Sequence, residues 1–309
     1  MILAGQPVAA VTVFGLSSGA VFGLLALGLV LIYRTTGTLN FSHWAIGILA
    51  VVAYAILTGS GVNPQIAVLL SIPVSMGAGV LAYRLVFRRI PRSQHIIVVL
   101  ISVGLAQLFS SIAAFALGFE QFTRIPAWLP ATDYHLFGIT FKSVDLITMA
   151  AALAIAFGFL IWFRRSQAGR ALRAVAQNRE AAMLAGIDDV RYSSIAWGMG
   201  SGLAAVALLL VLPHSAGDRG GLITTFQVTP FGTLLIPAFG AALIGGLVNL
   251  PAALIGGFVF GLSHELLVLA PAPWSNLRGA IAAILIVLLL LMRTERFFAS
   301  RQEIEALEA

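Results

Sequence analysis

Two short stretches of this chain carry the residue types of hydrolytic sites. Residues 15–19, GLSSG, fit G-x-S-x-G, in which a serine nucleophile rides on a sharp strand-to-helix turn. Residues 264–268, HELLV, open like the zinc-binding H-E-x-x-H helix but put Val268 where the second ligand belongs. His43, His95, His135 and His214 are scattered and fit no metal-ligand spacing, so no metal site is expected. GLSSG lies inside a long apolar run, where the turn it needs is absent. The chemistry left to Ser17 or Ser18 is that of an intramembrane serine hydrolase, with His43 or His264 reaching in from another helix as the base. The other reading is a Ser/Gly packing face with its hydroxyls bonded to backbone. G-x-x-x-x-G-K-[ST] does not occur, so the chain cannot cradle ATP phosphates in a P-loop. If ATP and Mg are used, another polypeptide binds them. No catalytic residue is assigned, and the chain reads as a non-enzyme.

Polar side chains within apolar runs are costly and are functional candidates. Residues 36–44, TGTLNFSHW, lead: Asn40, Phe41, Ser42, His43 and Trp44 stand where a first span gives way to a second. They either line a pathway or cap the next helix and hold its turn. Glu265 is the only carboxylate in residues 220–277, and Asp145 sits just inside another apolar run; both fall near the outer ends of their spans. A proton- or sodium-coupled carrier usually needs carboxylates at the midplane. That weakens, without removing, the alternative of an ion-coupled secondary transporter or channel.

These residues must be positioned by membrane spans. Of 309 residues 60% are hydrophobic and 10% charged, against about a quarter charged in soluble domains, and mean hydropathy is +1.00. The fold class is all-α: a polytopic membrane protein with residues 1–309 as one transmembrane domain. Charge-free runs predict spans at 8–32, two within 35–83 broken near 58–65, and further ones at 96–118, 143–163, 192–212, 233–249, 252–269 and 278–292. That makes about eight or nine, because one of the pair flanking the tight NLP connection at 249–251 could be re-entrant. The N-terminus reads as a retained span rather than a cleaved signal. Arg124, Lys142, Arg219 and Arg278 fall on one side and the other fourteen of the eighteen Lys and Arg on the opposite side. The positive-inside bias then puts the N-terminus outside and the C-terminus in the cytoplasm. There are no cysteines, which excludes disulfides.

Gly15, Gly19 and Gly23 recur at four-residue steps, as do Gly257 and Gly261. Such faces let helix backbones approach closely in lipid. They serve static packing or helices that slide during transport.

The residues at 164–191 form a polar cytoplasmic insert between spans. GRALRAVAQNREAAMLAGID (169–188) carries Arg170, Arg173, Arg179 and Glu180 with Leu172, Val175, Met183, Leu184 and Ile187 at roughly helical spacing. Gly186 stands where a helix would stop. A loop that only sets topology needs basic residues alone. Apolar periodicity points instead to a short helix that docks into a groove of a soluble protein.

EAAMLAG (180–186) matches the E-A-A-x-x-x-G cytoplasmic motif of ABC importer permeases, and the longer run resembles their branched-chain amino-acid permeases. So do LNFSHWAIGILAVVAYAI (39–56), ALIGGLVNLPAALIGGFVFGLSHELL (242–267) and LLLMRTERFF (289–298). The resemblance covers nearly the whole chain. Trp44, Ala252 and Thr294 depart from the family's glycine, glycine and proline; Trp44 adds bulk beside the candidate pathway. The resemblance implies the fold of vitamin-B12-type importer permeases and a coupling site at Gly169, Arg170, Arg173, Ala174, Glu180, Ala181, Ala182 and Gly186. It implies two cytoplasmic ATPase subunits, a homologous permease subunit (or a second copy), an extracytoplasmic solute-binding protein, and a plasma-membrane location. The solute would be a branched-chain amino acid or a similar small polar organic molecule.

Overall fold

The computed structural model describes residues 8–91, 94–117, 125–129, 132–136, 139–215, 222–223, 234–270, 280 and 283–291. Arg124, Arg219, Arg278 and most of the 289–298 motif lie outside them. Ten helices are named here in chain order: α1 (Val8–Thr36), α2 (His43–Gly59), α3 (Pro64–Leu85), α4 (His95–Leu117), α5 (Ser143–Arg165), α6 (Gln167–Gln177), α7 (Arg179–Leu184), α8 (Asp189–Val211), α9 (Leu235–Ile244) and α10 (Leu250–Leu266). Residues 283–291 are also helical.

Among the described residues five helices are long and apolar enough to cross a membrane, beginning at Val8, Pro64, Ile96, Ser143 and Asp189. α2, α9 and α10 are apolar but shorter. The run 58–65 does break two helices: Asn63 caps α3 by accepting from the Gln65 amide at 2.9 Å. The run 233–249 is not one span-length helix. α9 has 10 residues, about 15 Å at ~1.5 Å per residue, half of a hydrocarbon core of ~30 Å. Gly246 (φ +64) stops it, its amide bonding to Leu243 O at 2.8 Å while that of Leu247 bonds to Ala242 O at 2.9 Å. The chain then turns straight into α10. A charge-free run therefore overstates a helix wherever paired glycines permit a left-handed stop.

The all-α expectation needs one correction. The α4–α5 and α8–α9 connections carry two short antiparallel ribbons, Ile125–Pro126 with Leu222–Ile223 and Asp133–Leu136 with Ile139–Lys142.

α1 is the centre of the bundle. Of its apolar window 89% is buried, and of α8's 78%, against 17% for the fourth helix and 28% for α5. α1 runs antiparallel to α10, and their glycines set the separation. A methyl on Gly19 would stand 2.8 Å from Phe258 Cα, one on Gly257 2.4 Å from Gly23 N, and one on Gly261 2.4 Å from Gly15 O. Real side-chain carbons do not come that close to backbone, so these positions admit no β-carbon without moving a helix. Gly23 meets Leu254 in the same seam.

Candidate functional site

The polar insert forms two helices, not one. Asn178 leaves the helical region (φ −151°, ψ 104°), and its side chain accepts from the Ala181 amide at 2.9 Å. Asparagine competes well with helix continuation in this way and is a preferred N-cap. Ser166 caps α6 through the Gly169 amide at 2.9 Å, and Asp188 caps α8 through the Arg191 amide at 3.1 Å. Three short side chains thus fold a run of helix formers into an angular unit.

α6 is fixed to the membrane helices. Leu172 and Val175 are buried in the core of the chain itself, so these two apolar residues have their partner already. Gly169 lies so tightly against the end of α5 that a methyl there would be 2.1 Å from Phe163 O. Arg173 turns inward too. Its Nη1 donates to Phe163 O, its Nη2 donates to Arg164 O at 3.1 Å, and the guanidinium stands 5.5 Å from the Phe163 ring centroid. It occupies the last carbonyls of α5, where a cation is favoured by both hydrogen bonding and the helix dipole. Arg170 is exposed, with Nη1 on Arg165 O at 3.1 Å, and Ala174 is half-buried.

α7 is the part that faces outward. Glu180 and Ala181 are exposed and Ala182 is buried. Met183 is 47% and Leu184 90% exposed. Gly186 (φ +82) ends the helix: its amide bonds to Met183 O, and the Ile187 amide bonds to Ala182 O, both at 2.9 Å. This pair of bonds is the Schellman stop. Arg179 pairs through Nη2 with Asp189 Oδ2, tying the start of α7 to the start of α8. That tie was not anticipated from sequence, though Asn before a short Glu-Ala run is a cap signal.

The end of the bundle carrying α7 gathers the basic residues. Thr36, Thr38, Arg88, Arg89 and Arg179 border one cavity of about 290 Å³. Arg34, Arg164, Arg173 and the Asn249–Pro251 turn border another of about 330 Å³. The α9–α10 turn and Arg173 of α6 therefore border the same cavity.

The 40–44 segment is packed rather than open. Asn40, Ser42 and His43 are each no more than 2% exposed. Asn40 Oδ1 accepts from the Ser42 amide at 2.9 Å and from its hydroxyl at 2.6 Å, and Phe41 N donates to Ser102 Oγ at 3.2 Å. The His43 ring packs against Gly28, beside the point where Gly28 and Gly200 let α1 and α8 approach. Neither its nitrogens nor Asn40 Nδ2 find a hydrogen bond among the described residues. Trp44 packs with the α2–α8 core. Asn40, Ser42 and His43 form a buried polar knot, with Phe41 and Trp44 half-buried beside it.

Ser17 and Ser18 share a pocket with His264 and not with His43. No described hydrogen bond joins either serine to a histidine, so the nucleophile–base pair of a hydrolase is absent among the described residues. The buried carboxylates among them are Asp145, Asp189 and Glu265, each within a turn or so of a helix end. No group of three or more His, Asp and Glu that could hold a metal converges among the described residues.

Apolar helices packed around a buried, glycine-lined central helix define a multi-pass membrane protein. Residues 11–292 match the family described as the branched-chain amino acid transport system permease component, and the chain belongs to that family. BraD, a high-affinity branched-chain amino acid transport system permease protein of Pseudomonas aeruginosa, is 26% identical over 264 residues, covering 81% of this chain and 83% of the relative. LivH of Escherichia coli (strain K12), with the same description, is 24% identical over 266 residues, covering 82% and 83%. PsaBC from Streptococcus pneumoniae, solved in complex with Fab, has a similar fold: TM-score 0.50 and 14% identity over 90% of this chain and 89% of that one.

Proposed function

We propose that this chain is one transmembrane subunit of a binding-protein-dependent ABC importer in the plasma membrane, and that α7 is its contact with a cytoplasmic ATPase. The observation that carries the reading is the contrast between the two helices of the insert. α6 is locked to α5 through Gly169 and Arg173, while the adjoining α7 leaves Met183 and Leu184 exposed. A helix so short gains little from its own hydrogen bonds, so exposed apolar groups on it favour a receiving groove. Force applied at α7 would pass through α6 to α5, and through the Arg179–Asp189 pair to α8.

In this reading ATP and Mg sit in two partner subunits, whose closure moves α7 and tilts the spans to alternate access. A homologous permease, or a second copy, completes the pathway. An extracytoplasmic binding protein delivers solute at the end opposite α7, where the short ribbons lie. The N-terminus is outside and the C-terminus cytoplasmic, in keeping with the basic residues collected beside α7. The solute class is branched-chain amino acids or similar small polar organic molecules, as the family's description and the relatives' names support.

Purification from membranes tests this. A tagged chain should bring down a soluble ATPase, and uptake should require it. Uptake by the chain without any ATPase partner would support an ion-coupled carrier instead.

A further inference from the structure

The end opposite α7 holds polar side chains that the docking surface does not use. Ser17 and Ser18 of α1 and His264 and Glu265 of α10 border a cavity of about 190 Å³, with Val21, Phe22 and Val211 supplying apolar wall. His214 also borders it, but both its ring nitrogens face acceptors, Leu210 O at 3.2 Å and Asp145 Oδ1 at 3.1 Å. It fixes the end of α8 against α5. Glu265 is 6% exposed and, among the described residues, is the only carboxylate bordering the cavity. His264 Nδ1 holds one of its oxygens at 2.9 Å.

A carboxylate in a largely apolar recess favours a cationic partner. The cavity is smaller than the ~300–1,000 Å³ that take drug-sized ligands, so its occupant is small. The apolar wall selects a cation with a hydrocarbon body over a hydrated metal ion, and the ligand set a metal would need is lacking among the described residues.

We propose that this cavity is an outer-side subsite for a small aliphatic amino acid. Its ammonium faces Glu265, its side chain lies against Val21, Phe22 and Val211, and the Ser18 hydroxyl donates to its carboxylate. The subsite deepens the proposed function and rests on it for the class of solute.

The chain has no cysteine, so Phe14→Cys introduces a single thiol at an exposed residue that borders the cavity and has no assigned ligand contact. Right-side-out vesicles holding the complete transporter are treated with a membrane-impermeant methanethiosulfonate, alone, with leucine, or with isocaproate, which is leucine without its ammonium. Leucine should slow labelling at least fivefold and isocaproate should not. Adding Glu265→Gln should abolish protection while leaving the unprotected labelling rate unchanged. Equal protection by both compounds, protection that survives Glu265→Gln, or no labelling from outside would overturn the subsite. Leucine uptake by the unmodified transporter is measured in parallel. Uptake without protection overturns the subsite alone; absence of ATP-dependent uptake of any aliphatic amino acid overturns the proposed function.

Discussion

Arg173 closes the end of α5 by donating from Nη1 to the carbonyl of Phe163, with its guanidinium 5.5 Å from that residue's ring centroid. One side chain thus satisfies carbonyls that a helix end leaves open and holds α6 at a fixed angle to a membrane helix. The insert behaves as a bracket, with α6 as its fixed arm and α7 as its outward arm.

Arg173→Ala should loosen that bracket by about 1.5–3 kcal/mol, the worth of hydrogen bonds from a charged donor. Uptake should fall while the ATPase still co-purifies, because α7 keeps its surface. Arg173→Lys should restore only part, since an ammonium lacks the planar fork. Uptake at the normal rate in Arg173→Ala would show that force does not pass through this joint.

The α1–α10 seam gives a second test. Gly257→Leu and Gly19→Leu place side chains where backbone stands under 3 Å from a β-carbon, so each should cost at least ~1–3 kcal/mol and lower the yield of folded, detergent-extracted protein. Gly77→Leu and Gly104→Leu, which meet nothing within 4 Å, should be tolerated. Thermal unfolding of the four variants measures the difference.

Gly186→Val forces a β-branched residue into the left-handed conformation at φ +82, at a cost of roughly 1–2 kcal/mol. Open space surrounds the position, so the penalty is conformational rather than steric. Gly186→Asn, which tolerates that region, should lose less. ATPase affinity of the purified complex is the readout, and equal affinity of both variants would contradict the role given to this stop.

Much of this was legible in the sequence and some was not. Charge-free runs located the long helices, and the four-residue glycine spacing of Gly15, Gly19 and Gly23 named the face that α1 turns to α10. The helix formers around Asn178 predict one continuous helix, because helix propensity is additive along a window and a single capping side chain is not. The family resemblance groups Gly169 and Arg173 with the coupling site; the structure turns both inward, since the arrangement of α6 on α5 is a tertiary fact. The same holds for His43. Its packing against Gly28, beside Gly200, depends on a crossing of α1 and α8 that no local pattern announces.

Sidedness can be read with introduced thiols in this cysteine-free chain. Ser60→Cys and Gln177→Cys sit at exposed positions at opposite ends of the bundle. An impermeant reagent outside intact cells should label the first and spare the second, and inverted vesicles should reverse the pattern. The same pattern in both preparations would contradict the orientation.

Leu184 is the residue through which the proposed contact between α7 and the ATPase is most open to test. At 90% exposure it can be replaced with a change in folding stability within about 0.5 kcal/mol. In membranes with unchanged amounts of the chain, Leu184→Asp and Glu180→Arg should each reduce the ATPase recovered with a tagged chain at least tenfold, while Ser60→Asp at the other end leaves recovery intact. Full recovery of the ATPase with Leu184→Asp would contradict the assignment.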